Sequence, residues 1–426
     1  MKSPEKPTPT PSFQKLIPNT LLFYLGIPLV LFWLMPLAAP VRWAYFWASV
    51  FDADLPAAWT SFALLALLLA LWKPLRVGQW SLPPVAEAAQ WLDRNIWRAT
   101  LATLPFFALI GYFVSHRHAL SMDEYNVVFQ SYAFAAGHLT GQVPPGLIDA
   151  VVPAEYQGHF LHVSHAKGTI MSAYWPGYAL LLTPFSFFGV PWLCNPVITT
   201  FTVGAVHRAT ARMTGSLEAA FWAALFALAS PVIAINSATY FSMPAHLMGN
   251  VLYCWLLASG TRRTAFIAGL VGSWALLLHN PVPHAMFALP WLAWMALKRR
   301  DLLFPVLLGY LLVAVPLGLK WMSFWNGFDL RPEVKALKAS ATPRSSMDTL
   351  TRILTFFTPP SLDLLLARFA ALCKTVSWAA PGLAVLALAG AKTSKKERYT
   401  RLLKASFVLT FCFYLFVPFL QGLGWG

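Results

Sequence analysis

Long apolar runs alternate with short polar loops along this 426-residue chain. A transmembrane helix needs roughly 20 mainly apolar residues. Runs of about that size lie near residues 18–38, 56–72, 97–114, 193–207, 217–235, 244–259, 264–280, 283–297, 302–318, 376–391 and 405–421. Because 58% of the residues are hydrophobic and only 11% are charged, too few polar side chains remain to cover a soluble globule. The sequence predicts an all-α polytopic membrane protein with about eleven transmembrane helices.

The formal net charge of +15 comes from basic residues that cluster in short loops. Most of the 31 Lys and Arg residues fall in predicted inner loops when the N-terminus is placed in the cytoplasm. Since cytoplasmic loops of membrane proteins are enriched in these residues, the charge indicates topology rather than nucleic-acid binding. We expect a multi-pass protein of the cell inner membrane with no nucleic-acid partner.

The loops divide the chain into five predicted regions. These are an N-terminal tail with three spans (1–114), a first outer loop (115–192), a helix bundle (193–318), a second outer loop (319–375) and a C-terminal pair of spans (376–426). Residues 174–192 are apolar enough to cross, but a span there would invert every later loop. We expect an interfacial or re-entrant helix there instead, and a second interfacial helix near 362–372.

Two adjacent carboxylates, Asp123 and Glu124, open the first outer loop a few residues beyond a predicted span. A carboxylate at a partly desolvated boundary can act as a general base on a hydroxyl or an amine. Acidic pairs are also common at helix starts, where they favour the positive end of the helix dipole. The spacing alone leaves both interpretations open.

Basic side chains at predicted outer positions could neutralise a phosphate. Arg117, Lys167, His279 and His284 lie there, and such groups stabilise transferring or departing phosphates. Taken singly, each is more often an anchor at the membrane surface.

No metal site or cofactor is predicted. His159, His162 and His165 recur every three residues, which fits neither one helical face nor one face of a strand, so we expect hydrogen-bonding loop histidines. The four cysteines show no paired spacing that would indicate a disulfide framework or a zinc site.

Four segments resemble a known family in their order. They read DEYNVVFQSYAFAAGHLTG, MSAYWPGYALLLTPFSFFGVPWLCNP, AVHRATARMTG and LASPVIAINSATYFSMPAHL. Over residues 119–300 the chain resembles the C-type membrane glycosyltransferases, especially the bacterial members of family 39 akin to protein mannosyltransferases and aminoarabinose transferases. The acidic pair is the most specific element of this likeness.

The resemblance implies an inverting glycosyltransferase that moves a sugar from a polyprenyl-phosphate donor to a glycan, lipid or protein acceptor. Asp123 would be the catalytic base on the outer face of the membrane, with Glu124 beside it. The donor phosphate would contact Arg117, Lys167, His279 and His284. The sugar or the acceptor would contact Tyr125, Tyr174, Trp175 and His246.

The chain departs from the family pattern around the second segment. Relatives often read Tyr-Ser-Lys-Tyr-Pro-Pro-Gly where this chain reads MSAYWPG, so the expected lysine is absent and Lys167 is its possible substitute. Further on, Asn280-Pro281 replaces an Arg-Pro pair and is flanked by His279 and His284. These departures suggest a phosphate site assisted by histidine.

Two alternatives stay open on the sequence. A transporter or flippase of a lipid-linked or anionic substrate would carry charges along its path through the membrane, but Asp and Glu are nearly absent from the predicted span interiors. A non-catalytic envelope scaffold would tolerate the departures from the family pattern.

Overall fold

Helices form most of the chain that the computed structural model describes, which is residues 85–325, 327–328, 365 and 398–416. Apart from Leu365 and residues 414–416, these belong to one compact unit. The predicted spans at 18–38, 56–72 and 376–391 lie outside the described residues, as does nearly all of the predicted helix at 362–372.

The α-helices are α1 (Val85–Leu101), α2 (Leu104–Phe113), α3 (Met122–Ala135), α4 (Ile148–Val151), α5 (Pro176–Phe187), α6 (Cys194–Thr214), α7 (Leu217–Ala229), α8 (Pro231–Ser237), α9 (Met243–Ala258), α10 (Arg262–Leu276), α11 (Val282–Lys298), α12 (Arg300–Trp325) and α13 (Arg398–Phe416).

Some of these helices are long and apolar enough to cross a membrane. In the described part they are Val85–Phe113, of 29 residues, and Arg300–Trp325, of 26 residues. A third candidate is the pair α7 and α8, bent by 56° at Ser230-Pro231, where proline has no N–H to continue the first helix. The predominantly helical fold is confirmed in this coarse form, and the total of about eleven spans stays a prediction.

A small antiparallel sheet interrupts the helices between α3 and α5. Its strands are β1 (Gly141–Gln142), β2 (Leu161–Ser164) and β3 (Thr169–Ser172), in the order β1-β3-β2. This sheet departs from the all-α expectation, which placed interfacial or re-entrant helices in the loop of residues 115–192 and no strands. The sheet is stabilised by an apolar cluster beneath it, formed by Ile148, Val152, Leu161, Val163 and Ile170.

A helix does form within residues 174–192, as predicted. It is α5, whose 12 residues reach only about 18 Å at 1.5 Å per residue. Pro176 is the first residue of this helix, and Gly189, with φ +72°, follows its end. Proline at the start of a helix and glycine just after its end are both common. Its placement at the membrane surface stays a prediction.

Glycines set the close packing of α10 against α12. A side chain at Gly309 would meet the backbone of Phe266 and Gly269, and one at Gly272 would meet the ring of Tyr310. Small residues at such contacts allow helix backbones to approach closely in membrane proteins. This contact places Tyr310 against α10 and orients the end of α12 that carries Trp321 and Trp325.

The Gly309→Val variant should therefore lower the free energy of unfolding by about 1–3 kcal/mol, the usual cost of overpacking. Thermal unfolding of the purified protein in detergent measures this effect. Leu311→Val is the matched control, since it puts the same β-branched residue on the exposed side of α12. Equal melting temperatures for the two variants would contradict the close contact.

Candidate functional site

Glu124 is a structural acceptor at the start of α3. It is completely buried. One carboxylate oxygen accepts hydrogen bonds from the backbone N–H groups of Leu120, at 2.7 Å, and Ser121, at 3.1 Å, and the other accepts one from the N–H of Tyr240, at 2.7 Å. Glu124 therefore caps α3 and joins it to the segment that precedes α9.

Asp123 lies one residue earlier and is only partly buried. Its carboxylate accepts a hydrogen bond from the hydroxyl of Tyr174. Burial, and then the hydrogen bond to Asp123, raise the pKa of Tyr174 well above its ordinary value. The phenol thus stays protonated as a donor that orients the carboxylate.

A buried polar clamp holds Tyr174 in place. The backbone N–H of Tyr174 donates to the hydroxyl of Ser172 at 3.1 Å, and that hydroxyl donates to the side-chain oxygen of Asn126 at 2.8 Å. Gln130 accepts the backbone N–H of Ser172 at 2.9 Å. Both α3 side chains are completely buried, so the end of β3 is fixed to the helix that carries Asp123.

The other side of Tyr174 contacts the end of α12 and the loop before α11. The indole N–H of Trp321 donates to the carbonyl of Tyr174 at 2.9 Å. The ring of His279 meets the ring of Tyr174 edge to face, with centroids 4.2 Å apart. Gly177 donates to the carbonyl of Leu277 at 2.8 Å, an approach that a larger side chain would block. The glycine of the Trp-Pro-Gly segment is needed for this contact.

Two further histidines, His246 and His284, differ in their surroundings. His284 is completely buried, with ring nitrogens 2.7 Å from the side-chain oxygen of Asn250 and 2.7 Å from the hydroxyl of Tyr310. The ring nitrogens of His246 are buried and have no hydrogen-bond partner among the described residues. Only His246 therefore has unused hydrogen-bonding capacity in that pair.

The remaining predicted site residues have other surroundings. The guanidinium of Arg117 lies 4.8 Å from the ring centroid of Tyr112. Lys167 is exposed in the turn between β2 and β3, at the opposite end of this hairpin from Ser172.

The predicted sugar-contacting aromatics are divided in the same way. Tyr125 is exposed on α3. Trp175 packs against Trp325, with ring centroids 5.3 Å apart. The structure therefore groups Asp123 with Tyr174 and His279.

Two of the regularly spaced loop histidines, His162 and His165, contact neighbours in different parts of the chain. His162 packs against Trp325, with ring centroids 5.7 Å apart. His165 lies 3.0 Å from the carboxylate of Asp149. Hydrogen bonds from His165 and then Gln157 hold the pKa of that carboxyl below its ordinary value. In the part of the chain described, no group of three or more His, Cys, Asp or Glu residues is arranged to hold a metal ion.

Sequence reasoning missed the residues that orient the site. Asn126 and Gln130 follow Asp123 by three and seven positions, which puts all three on one face of a helix. That spacing was a usable signal. The contact with Ser172 was not, because it joins residues 42 and 46 positions apart.

Comparisons of the chain with protein-family models, with curated proteins and with solved structures give no match. The candidate site therefore rests on its geometry alone. At its centre a half-buried carboxylate is oriented by the phenol of Tyr174, whose ring contacts His279.

We predict that Glu124→Gln lowers the free energy of unfolding by about 1–3 kcal/mol, because the amide would turn a donor toward backbone N–H groups that need an acceptor. Thermal unfolding in detergent measures the change. Asp123→Asn is the matched control, since it removes the same charge one residue away and should have a much smaller effect. The assignment of Glu124 as a structural acceptor fails if the two variants unfold alike.

Proposed function

We propose that this protein is an inverting membrane glycosyltransferase that uses a polyprenyl-phosphate-linked sugar as its donor. The observation that carries the proposal is the different environment of two neighbouring carboxylates. Glu124 is buried and bound by backbone donors, whereas Asp123 is partly exposed and oriented by Tyr174. Asp123 is thus the carboxylate of this pair that can reach a substrate and serve as a general base.

The chemical step proposed has a simple balance of bonds and charges. The acceptor hydroxyl or amine attacks the anomeric carbon, a new glycosidic bond forms, and the bond from that carbon to the phosphate oxygen breaks. Asp123 takes the proton of the acceptor, and the polyprenyl phosphate leaves with the bonding electron pair. The carboxylate becomes neutral while the phosphate gains one negative charge. No acid is required on the leaving side.

The residues around Asp123 supply orientation. A general base must lie within hydrogen-bond reach of the proton it removes, and small misplacements are costly. The Tyr174 hydroxyl fixes the carboxylate, and the clamp of Asn126, Gln130 and Ser172 fixes Tyr174. In this proposal Glu124 is a positioning residue, since it sets the start of the helix that carries Asp123.

A lipid-linked donor suits the surroundings of α9. Pro244 and Leu247, in its first turns, help to line a largely apolar cavity of about 170 Å³ between α6, α7, α8 and α9. An apolar lining of this kind is what the hydrocarbon tail of such a donor would need. The resemblance to family 39 supports the same reading, with a glycan, lipid or protein acceptor at the outer face of the inner membrane.

A second candidate, a transporter or flippase, is favoured by one observation. His284 is completely buried within α11 and pairs with Asn250 of α9 and Tyr310 of α12. Polar groups inside a membrane bundle can mark a substrate path. In proteoliposomes, a flippase would move a labelled lipid between leaflets without forming a glycosylated product, which separates the two functions.

We predict that Asp123→Asn lowers sugar transfer by at least about a hundredfold, as expected for loss of a general base. The assay is transfer of radiolabelled sugar from polyprenyl-phosphate donors to a panel of glycan, lipid and protein acceptors, in membranes with matched expression. Asp149→Asn is the control, because that carboxylate is exposed and pairs with His165. It should retain wild-type activity.

Two results would count against the proposed glycosyltransferase activity. Wild-type turnover by Asp123→Asn would remove Asp123 from the mechanism. Equal background for wild type and variant across the whole donor and acceptor panel would argue against transfer and favour the transporter.

The proposed orientation predicts that a cysteine in place of Lys167, at the exposed end of the β2–β3 hairpin, is labelled from outside intact cells. A membrane-impermeant maleimide in a background lacking the four native cysteines makes the measurement. Arg263→Cys, in a predicted inner loop, is the control and should react only after the cells are opened. The reverse labelling pattern would invert the topology.

A further inference from the structure

We propose that the apolar cavity between α6, α7, α8 and α9 binds a compact, lipid-soluble alcohol whose hydroxyl pairs with that of Thr199. The cavity has a volume of about 170 Å³, and Thr199 is one of the residues that line it. The lining shares no residue with the carboxylate pair at the start of α3. Binding there would therefore be a property of the protein in addition to glycosyl transfer.

The volume of the cavity sets the size of the ligand. An apolar cavity of about 150 Å³ holds benzene, so this one has room for a body of about six carbons and a hydroxyl group. A polyprenyl chain has many more carbons, so the lipid-linked donor can place only a small part of its tail there. The cavity fits a compact molecule better than a long chain.

A buried hydroxyl in the lining is available to a ligand. The hydroxyl of Thr199 has no hydrogen-bond partner among the described residues, and only 2% of this residue is exposed. The hydroxyl of Thr202 and the side-chain amide of Asn236 instead donate to carbonyl groups of their own helices, at 2.7 and 2.8 Å. Because a hydroxyl can both donate and accept, an alcohol can pair with Thr199 in either direction. A hydrocarbon cannot.

Part of the cavity wall lies on the apolar surface of the bundle. Val232 of α8 and Met243 and Leu247 of α9 line the cavity, yet they are 43%, 45% and 37% exposed. This wall includes the short helix α8, which follows the 56° bend after α7. Exposed apolar surface of this kind is typical of contact with a membrane. The ligand would therefore enter from the bilayer, which is why it must be soluble in lipid.

A ligand in this cavity would act on the segment that Glu124 binds. That segment joins α8 to α9, and its Tyr240 donates a backbone N–H to Glu124 at 2.7 Å. The side-chain amide of Asn195, on α6, donates to the carbonyl groups of Thr239 and Phe241, at 2.7 and 2.9 Å. Since α6, α8 and α9 all line the cavity, a bound alcohol would restrain this segment at both ends.

Photoaffinity labelling of the purified full-length chain in lipid nanodiscs tests the proposal without any transfer assay. The probe is the spiro-diazirine derivative of cyclohexanol, and mass spectrometry of peptides locates the labelled residues. Cyclohexanol and methylcyclohexane serve as competitors at equal concentrations in the membrane. We expect labels on α6, α8 or α9, and we expect cyclohexanol to compete more strongly than methylcyclohexane.

Two neighbouring threonines provide a matched pair of variants. Thr199→Val keeps the shape of the side chain and removes the hydroxyl, so it should lower labelling about three- to tenfold, the usual effect of losing one hydrogen bond. Thr200→Val makes the same change at a hydroxyl that is also buried and has no described partner, but this residue does not line the cavity. It should be labelled as wild type is. Ala227→Leu puts a larger side chain in the lining and should abolish labelling.

Each outcome supports or overturns the proposed site. Equal labelling of Thr199→Val and Thr200→Val would overturn it, as would equal competition by the alcohol and the hydrocarbon. Labels spread over the exposed faces of other helices would show partition into the bilayer only. Labelling that is unaffected by Thr199→Val but is removed by farnesyl phosphate would assign the cavity to the donor tail instead. If Ala227→Leu does not fold, judged by its thermal unfolding, Thr199→Val decides.

The alcohol site and the proposed transferase can fail separately. Asp123→Asn should lose sugar transfer and keep the labelling of wild type, because Asp123 does not line the cavity. Labelling that depends on Thr199, in a protein without transferase activity, would preserve the site and remove the enzyme. Transferase activity with no effect of Thr199 on labelling would do the reverse.

Discussion

The buried carboxylate of Glu124 is the interaction on which the site depends. It binds backbone N–H groups on both sides of a junction, at the start of α3 and at Tyr240 before α9. A carboxylate so buried is tolerated because these donors replace the water that it has lost. With that junction fixed, α3 holds Asp123 toward Tyr174. One buried side chain therefore links the helix that carries the proposed base to the segment that leads into α9.

Neighbouring residues can have opposite roles because a helix turns about 100° per residue. That rotation directs Glu124 into the protein and leaves Asp123 at its surface. The sequence marks the acidic pair as unusual, but it does not say which member is structural. The distinction depends on Tyr240, which is 116 positions away, and no local pattern encodes that contact.

The helices were largely predictable, because apolar runs and the proline or glycine residues at helix ends are local signals. For example, α5 formed where its apolar run indicated. The sheet was not predicted. Its longest strands have four residues, too few for a two-residue period to be distinguished from a loop. The hydrogen bonds that join Ser172 to Asn126 and Gln130 could not be predicted either, because long-range contacts decide which polar residues meet. Lys167 looked like a phosphate ligand by position in the chain, but the hairpin places it at the end away from Ser172.

His246 and His284 show how differently the fold surrounds two histidines of the same bundle. His284 is completely buried, and its ring nitrogens lie 2.7 Å from the side-chain oxygen of Asn250 and 2.7 Å from the hydroxyl of Tyr310. Both ring nitrogens of His246 are buried with no hydrogen-bond partner among the described residues. The two side chains are alike in the sequence, so only the contacts made by Asn250 and Tyr310, which come from two other helices, distinguish the paired histidine from the unpaired one.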